Sequence, residues 1–155
     1  MKKHLFISAS LAICAAAAIT QSPTAAIAGG IGNNYIAPGV TFGGGQTVFG
    51  IQSKLGIADN VSLRPFVTFP ANNTQFGTSI TYDWDLRQSS VPLTPFVGLG
   101  IAFQTASQNN TTVGFAQVGA DFNVNQSFSL LTSVAIPFNS NNASTSVNVA
   151  AGLRF

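Results

Sequence analysis

Ser146-Val147-Asn148-Val149-Ala150-Ala151-Gly152-Leu153-Arg154-Phe155 is the stretch on which the fold turns. Val147, Val149, Ala151, Leu153 and Phe155 fall on one side of an extended chain, and Ser146, Asn148, Ala150, Gly152 and Arg154 fall on the other. A period of two, with one apolar face and one mostly small or polar, is the pattern of a strand between two different environments. Alternation is a weak signal in any single segment, so its weight depends on how often it recurs.

It recurs upstream. Residues 34–43 set Ile36, Pro38, Val40 and Phe42 on one face, and Gly43-Gly44-Gly45 ends the run. Residues 46–58 set Phe49, Ile51, Leu55 and Ile57 against Gly50, Gln52 and Lys54. Asp59-Asn60 then signals a tight turn. Val61, Leu63, Pro65, Val67 and Phe69 alternate with Ser62, Arg64, Phe66 and Thr68. The fourth run opposes Phe76, Thr78, Ile80, Tyr82 and Trp84 to Gly77, Ser79, Thr81, Asp83 and Asp85. The fifth opposes Leu93, Pro95, Val97, Leu99, Ile101 and Phe103 to Thr94, Phe96, Gly98, Gly100, Ala102 and Gln104. In the sixth, Ala116, Val118, Ala120, Phe122 and Val124 share the apolar face. That parity turns Phe115 the other way, and a bulge is expected there. Phe128, Leu130, Thr132, Val134, Ile136 and Phe138 make the seventh face.

Eight runs of about ten residues match the length that a tilted strand needs to cross a bilayer. The expected fold is all-β: an eight-stranded antiparallel up-and-down transmembrane β-barrel over residues 29–155. The bulky apolar face belongs outside, because an eight-stranded interior is only wide enough for side chains to fill it. A soluble lipocalin-like barrel would turn the same faces the other way. Phe42, Phe49, Phe69, Phe76, Phe103 and Phe138 gather towards one end of the runs, and Tyr82, Trp84, Phe122, Phe128 and Phe155 towards the other. Two aromatic girdles of this kind suit a membrane barrel.

The amino-terminal part reads differently. Met1-Lys2-Lys3-His4 precedes an uncharged apolar run from Leu5 to Ile19, and Ala26-Ile27-Ala28 stands before Gly29-Gly30. A basic start, a short apolar core and an A-x-A site predict a secretory signal peptide over residues 1–28. The run is shorter than the roughly 20 residues of a membrane-spanning helix, and Pro23 stands just beyond its end, where it would break a longer helix.

Residues 29–155 carry four bases (Lys54, Arg64, Arg87 and Arg154) and four acids (Asp59, Asp83, Asp85 and Asp121), with no Cys, His or Glu. Their net charge is zero, which removes any basic footprint for nucleic acid. Thiol catalysis, a His-based triad and a His or Cys metal site are excluded, and no cofactor is expected. Charged residues make up 6% of the whole chain, against roughly 25% in an average soluble domain. A water-facing surface normally holds many more.

Ile36-Ala37-Pro38-Gly39-Val40, Leu63-Arg64-Pro65-Phe66-Val67 and Leu93-Thr94-Pro95-Phe96-Val97 echo one another in the first, third and fifth runs. Within the last echo, Thr94-Pro95-Phe96-Val97-Gly98-Leu99-Gly100 resembles the Thr-Pro-aromatic-Val-Gly-x-Gly strand of small Gram-negative outer-membrane barrels of the opacity and OmpA/OmpX-like type. The 146–155 stretch resembles their closing strand. The resemblance covers residues 29–155 in pattern and only these two stretches in motif. It implies location in the bacterial outer membrane after Sec-type export, with both barrel ends of the chain on the periplasmic side. It also implies that Val149, Ala151, Leu153 and Phe155 are the signal read by the barrel-assembly machinery, with periplasmic chaperones in transit. Outer-membrane lipid is then the lasting partner of a monomer. The sequence departs from the family in its short outer loops, and it shows no peptidoglycan-binding domain.

The charges have an order of their own. Alternation turns Lys54, Arg64, Asp83, Asp85, Asp121 and Arg154 inward, all near one end of their strands, while Arg87 falls in a turn. Three bases and three acids predict a neutral network that fills the lumen, since buried charges need partners. A narrow pore for ions or small solutes is the alternative. An enzyme is not expected, because Asp alone would have to serve as the base. The role expected is structural or surface-interacting.

Overall fold

A computed structural model describes residues 34–155 apart from 72, 85, 87–91, 107–109 and 140–142. The expected signal peptide lies outside the described residues. The strands are β1 (Tyr35–Gly43), β2 (Gln46–Ala58), β3 (Val61–Thr68), β4 (Asn73–Asp83), β5 (Leu93–Ala106), β6 (Asn110–Asn123), β7 (Phe128–Pro137) and β8 (Ser146–Arg154). Each pairs antiparallel with its sequence neighbours, and β1 pairs with β8 to close the barrel. Closure gives every strand a partner on both sides and leaves no free sheet edge.

The alternation in the sequence sets the two faces. Ile80, Leu99, Val118, Leu130, Val149 and Leu153 are exposed on the exterior, while Ser79, Thr81, Gln117, Ser133 and Asn148 are buried within. Between them, Tyr35, Ala37, Phe96, Leu131 and Ala150 form a small apolar cluster inside the barrel.

Phe115 does point inward, but no bulge turns it there. The β5–β6 register is unbroken from Leu93↔Phe122 to Thr105↔Asn110. The ring is accommodated by its cross-strand partner Gly100, which has no side chain to displace. The irregularity is elsewhere, in the β2–β3 pairing, where the register shifts between Gly56 and Ala58. It precedes the Asp59-Asn60 turn, in which Asn60 takes a positive φ of 63°.

Two of the three echoed prolines interrupt a ladder, and the third stands near a strand start. A proline cannot donate to the ladder. The β1–β8 partners stop at Ile36↔Leu153 and resume at Gly39↔Ala150, on either side of Pro38. The β2–β3 partners skip from Gln52↔Phe66 to Leu55↔Leu63, around Pro65, where the Ser53 hydroxyl donates to the Pro65 carbonyl at 3.4 Å. Pro95 stands near the start of β5, its carbonyl accepting from the Trp84 N–H at 2.9 Å.

The terminal end of the barrel holds residues 34 and 155 and the β2–β3, β4–β5 and β6–β7 connections. The far end holds the other four connections. Connection length does not separate the two ends. At the far end, β1 and β2 are joined by Gly44-Gly45, both at positive φ, as a two-residue primed hairpin turn requires. The longest connection, residues 84–92, is at the terminal end.

Candidate functional site

The lumen is organised in layers. The layer nearest the terminal end is charged. Arg64 on β3 is its centre. Its Nη2 lies 3.1 Å from Asp83 Oδ1 and 2.8 Å from Asp121 Oδ2, and its Nη1 lies 3.1 Å from Asp121 Oδ1. Arg64 Nη1 also donates to the Tyr35 hydroxyl at 2.8 Å, and Nε donates to Thr81 Oγ1 at 2.9 Å. The guanidinium carbon lies over the Phe96 ring, 3.6 Å from its centroid. Five donors in a rigid fork suit such a site, which a flexible ammonium could not fill in the same way.

Lys54 on β2 bridges the same two carboxylates, 2.8 Å from Asp83 Oδ2 and 3.0 Å from Asp121 Oδ2. Asp83 also accepts from Ser62 Oγ at 2.6 Å and from Thr81 Oγ1 at 3.0 Å. Asp121 accepts from the Tyr35 hydroxyl at 2.8 Å. Each carboxylate oxygen therefore has two donors, which fills its capacity. Lys54, Arg64, Asp83 and Asp121 are exposed by 1%, 5%, 0% and 2%. Two cations and two anions cancel, and the hydrogen bonds offset the desolvation that a buried ion pair would otherwise suffer.

The cluster draws Tyr35, Lys54, Arg64, Asp83, Phe96 and Asp121 from six successive strands. Of the six charges expected in the lumen, it brings together these four: Lys54, Arg64, Asp83 and Asp121. Arg154 sits at the terminal rim, where its Nη1 donates to the Asn125 carbonyl in the β6–β7 turn. Asp85 lies outside the described residues. Tyr35, the hinge between Arg64 and Asp121, is not among the charges that alternation picks out, although it precedes Ile36 and so faces inward by the same parity. Ser62, Thr81 and Phe96 are legible as inward-facing but not as partners of the charges.

A neutral belt comes next. Ser79 donates to Gln117 Oε1 at 2.7 Å, Gln117 Nε2 donates to Ser133 at 3.0 Å, Asn148 Nδ2 donates to Ser133 at 3.4 Å, and Thr41 donates to Asn148 Oδ1. Beyond it Phe66 and Phe115 meet edge to face, centroids 5.9 Å apart. These rings and Gln117 line a cavity of about 80 Å³ towards the far end, shared with Gln52, Gln75 and Ser146. A polar-lined space of that size admits water. Among the described residues, no group of three or more His, Cys, Asp or Glu side chains could hold a metal ion. No helix among them is long and apolar enough to cross a membrane, which says nothing of crossing by strands.

No protein-family model matches the chain, and no curated protein matches it. Solved structures do. The amino-terminal β-barrel domain of Pseudomonas aeruginosa OprF aligns with a TM-score of 0.63 at 15% identity, covering 79% of this chain and 97% of that one. A de novo designed transmembrane β-barrel aligns with a TM-score of 0.64 at 15% identity, covering 80% and 96%. The Yersinia pestis outer membrane protein Ail, in a phospholipid bilayer nanodisc, aligns with a TM-score of 0.56 at 11% identity, covering 80% and 99%. At such identities the likeness is one of fold: this chain has the closed eight-stranded up-and-down barrel that these membrane barrels share.

Proposed function

We propose that residues 29–155 form a monomeric barrel resident in the bacterial outer membrane, with a structural or surface-interacting role and a lumen filled by side chains. The observation that carries this reading is the inversion of polarity. Leu99, Ile80 and Leu153 are more than half exposed on the exterior, while Arg64 and Asp83 are buried inside. In water such an exterior would be an aggregation surface. In lipid it is the favourable one, and a lipid-facing Arg or Lys at mid-membrane would cost about 2–4 kcal/mol. The terminal end faces the periplasm in this reading. Export through the Sec route and delivery by periplasmic chaperones to the assembly machinery precede insertion.

The charged layer supports a plug. An ion entering from the far end meets the Phe66–Phe115 pair, then the amide belt, then four charges already matched to one another. The test is a planar-bilayer recording alongside cell fractionation. The expected result is recovery with the outer membrane, slower gel migration after heating, and no stable single-channel openings. Stable openings with ion selectivity would instead establish the narrow pore. Recovery as a soluble periplasmic protein would defeat the membrane reading itself.

A further inference from the structure

All eight charged residues of 29–155 belong to one end of the barrel. Lys54, Arg64, Asp83, Asp121 and Arg154 lie in the terminal parts of their strands, Asp59 lies in the β2–β3 turn there, and Asp85 and Arg87 fall in the sequence between β4 and β5, which are joined at that end. The far rim has no Lys, Arg, Asp or Glu in any strand end or connection. What it has is ordered in two bands. Phe42, Phe49, Phe69 and Phe138 are exposed on the outer face. Just beyond them come exposed amides and hydroxyls such as Gln46 and Asn110.

Two strand ends give the height of this polar band. Gly44-Gly45 adds only two residues above the β1–β2 ladder, which ends at the pair Gly43↔Gln46. Asn110 pairs with Thr105, two residues beyond the Phe103↔Thr112 pair. At roughly 3.3 Å of rise per residue, Gln46 and Asn110 both stand within one headgroup layer of the Phe ring. The Gln46 and Asn110 amides therefore lie at the level of the surrounding lipid headgroups.

From the chemistry of that band we infer that the far rim is an interaction surface for uncharged, hydroxyl-rich glycolipid headgroups. The inference rests on the membrane reading above. Asn, Gln, Ser and Thr offer both donors and acceptors, which match sugar hydroxyls and ring oxygens. A phosphate would take charge-assisted bonds from Arg or Lys, and this rim supplies none. The other end, with Arg154 and Arg87, differs in this respect. Lipids rich in phosphate are thus not the preferred neighbours of this rim.

Trp84 is the sole tryptophan and lies at the terminal end. The double variant Trp84→Phe, Phe69→Trp moves the fluorophore to the far rim. It is reconstituted in phosphatidylcholine vesicles containing either brominated digalactosyl diacylglycerol or brominated phosphatidylglycerol with matched chains, and quenching gives the relative association of each lipid. The expected result is a preference for the galactolipid of at least about two-fold that does not change with salt, since no charge is involved. Adding Gln46→Lys and Asn110→Lys should shift the ratio towards phosphatidylglycerol by about five-fold per lysine at low salt. Equal quenching by the two lipids, or a preference for phosphatidylglycerol before the lysines are added, overturns the inference while leaving the membrane reading intact. A chain that enters neither vesicle, shown by absence of the heat-dependent gel shift, removes both.

Discussion

The Phe115 ring lies against Gly100, its direct partner across the β5–β6 ladder, so closely that a Cβ at position 100 would stand 2.4 Å from Phe115 Cζ. The same device recurs at Phe66 over Gly77 and at Phe96 over Gly119. Three rings enter a narrow lumen because the residue beside each has no side chain. Gly100→Ala should therefore lower stability by about 1–3 kcal/mol, as overpacking does. The backbone oxygen of Thr78, 2.7 Å from the same Cβ position, adds to the clash, so Phe115→Leu should restore only part of the loss. Urea unfolding in vesicles, followed by Trp84 fluorescence, checks this. An unchanged midpoint for Gly100→Ala would show that the ring and the Thr78 backbone both give way.

This pairing also marks where the sequence stops being legible. Strand number, strand bounds and inside–outside parity follow from a period of two, which is a local property. Cross-strand register is not local, so Phe115 reads as a misfit calling for a bulge when its neighbour Gly100 already makes room. Arg64, Lys54, Asp83 and Asp121 are visible as inward charges because alternation and the cost of lipid exposure both place them there. Their partners are not, since Tyr35 and Asp121 are 86 residues apart and meet only when β1 closes on β8 and the barrel forms. Arg154 shows the limit of parity from the other side. It has inward parity, yet it is at the rim, where its reach to the Asn125 carbonyl is set by the turn.

Tyr35 gives a prediction of its own. Its hydroxyl accepts from Arg64 and donates to Asp121, both at 2.8 Å, while its ring covers Gly152. Tyr35→Phe keeps the ring and removes the bridge, leaving each charged group one partner short. Hydrogen bonds to charged groups contribute about 1.5–3 kcal/mol, and the loss should fall in that range. Tyr35→Ala should cost more, because the ring goes too. A Tyr35→Phe protein as stable as the wild type in the same unfolding assay would mean that water replaces the hydroxyl.

Arg64→Ala should be the most damaging change in the charged layer. It leaves Asp83 and Asp121 facing Lys54 alone, and breaking a buried pair in this way costs about 3–5 kcal/mol, less where water enters. Arg64→Lys should recover little, since an ammonium cannot engage both carboxylates, Tyr35 and Thr81 while lying over Phe96. Arg64→Ala combined with Asp83→Asn restores charge balance and should regain part of the loss. Asp59→Asn, in an exposed turn, is the control and should stay within about 0.5 kcal/mol. A loss for Arg64→Ala no greater than that of Asp59→Asn would show that the layer is solvated and carries little of the stability.

Phe155 separates folding from assembly. Its side chain is 57% exposed on the outer face, in line with Leu153 and Val149, and its N–H donates to the Asn34 carbonyl at 3.0 Å. In the finished barrel it contributes one ring at the terminal rim and one hydrogen bond beside the β1–β8 seam. Deleting it should therefore reduce stability only within the ordinary range of about 0.5–3 kcal/mol, and the chain should still refold from urea into detergent. In cells the expected effect is larger, because an exposed aromatic in line with Val149, Ala151 and Leu153 is what the assembly machinery is proposed to read. Outer-membrane levels should fall several-fold, and the chain should appear as periplasmic degradation products. The two measurements must be made on the same variant. Refolding lost together with cellular levels would make Phe155 a stability residue, and normal levels in the outer membrane would leave it a girdle residue with no part in assembly.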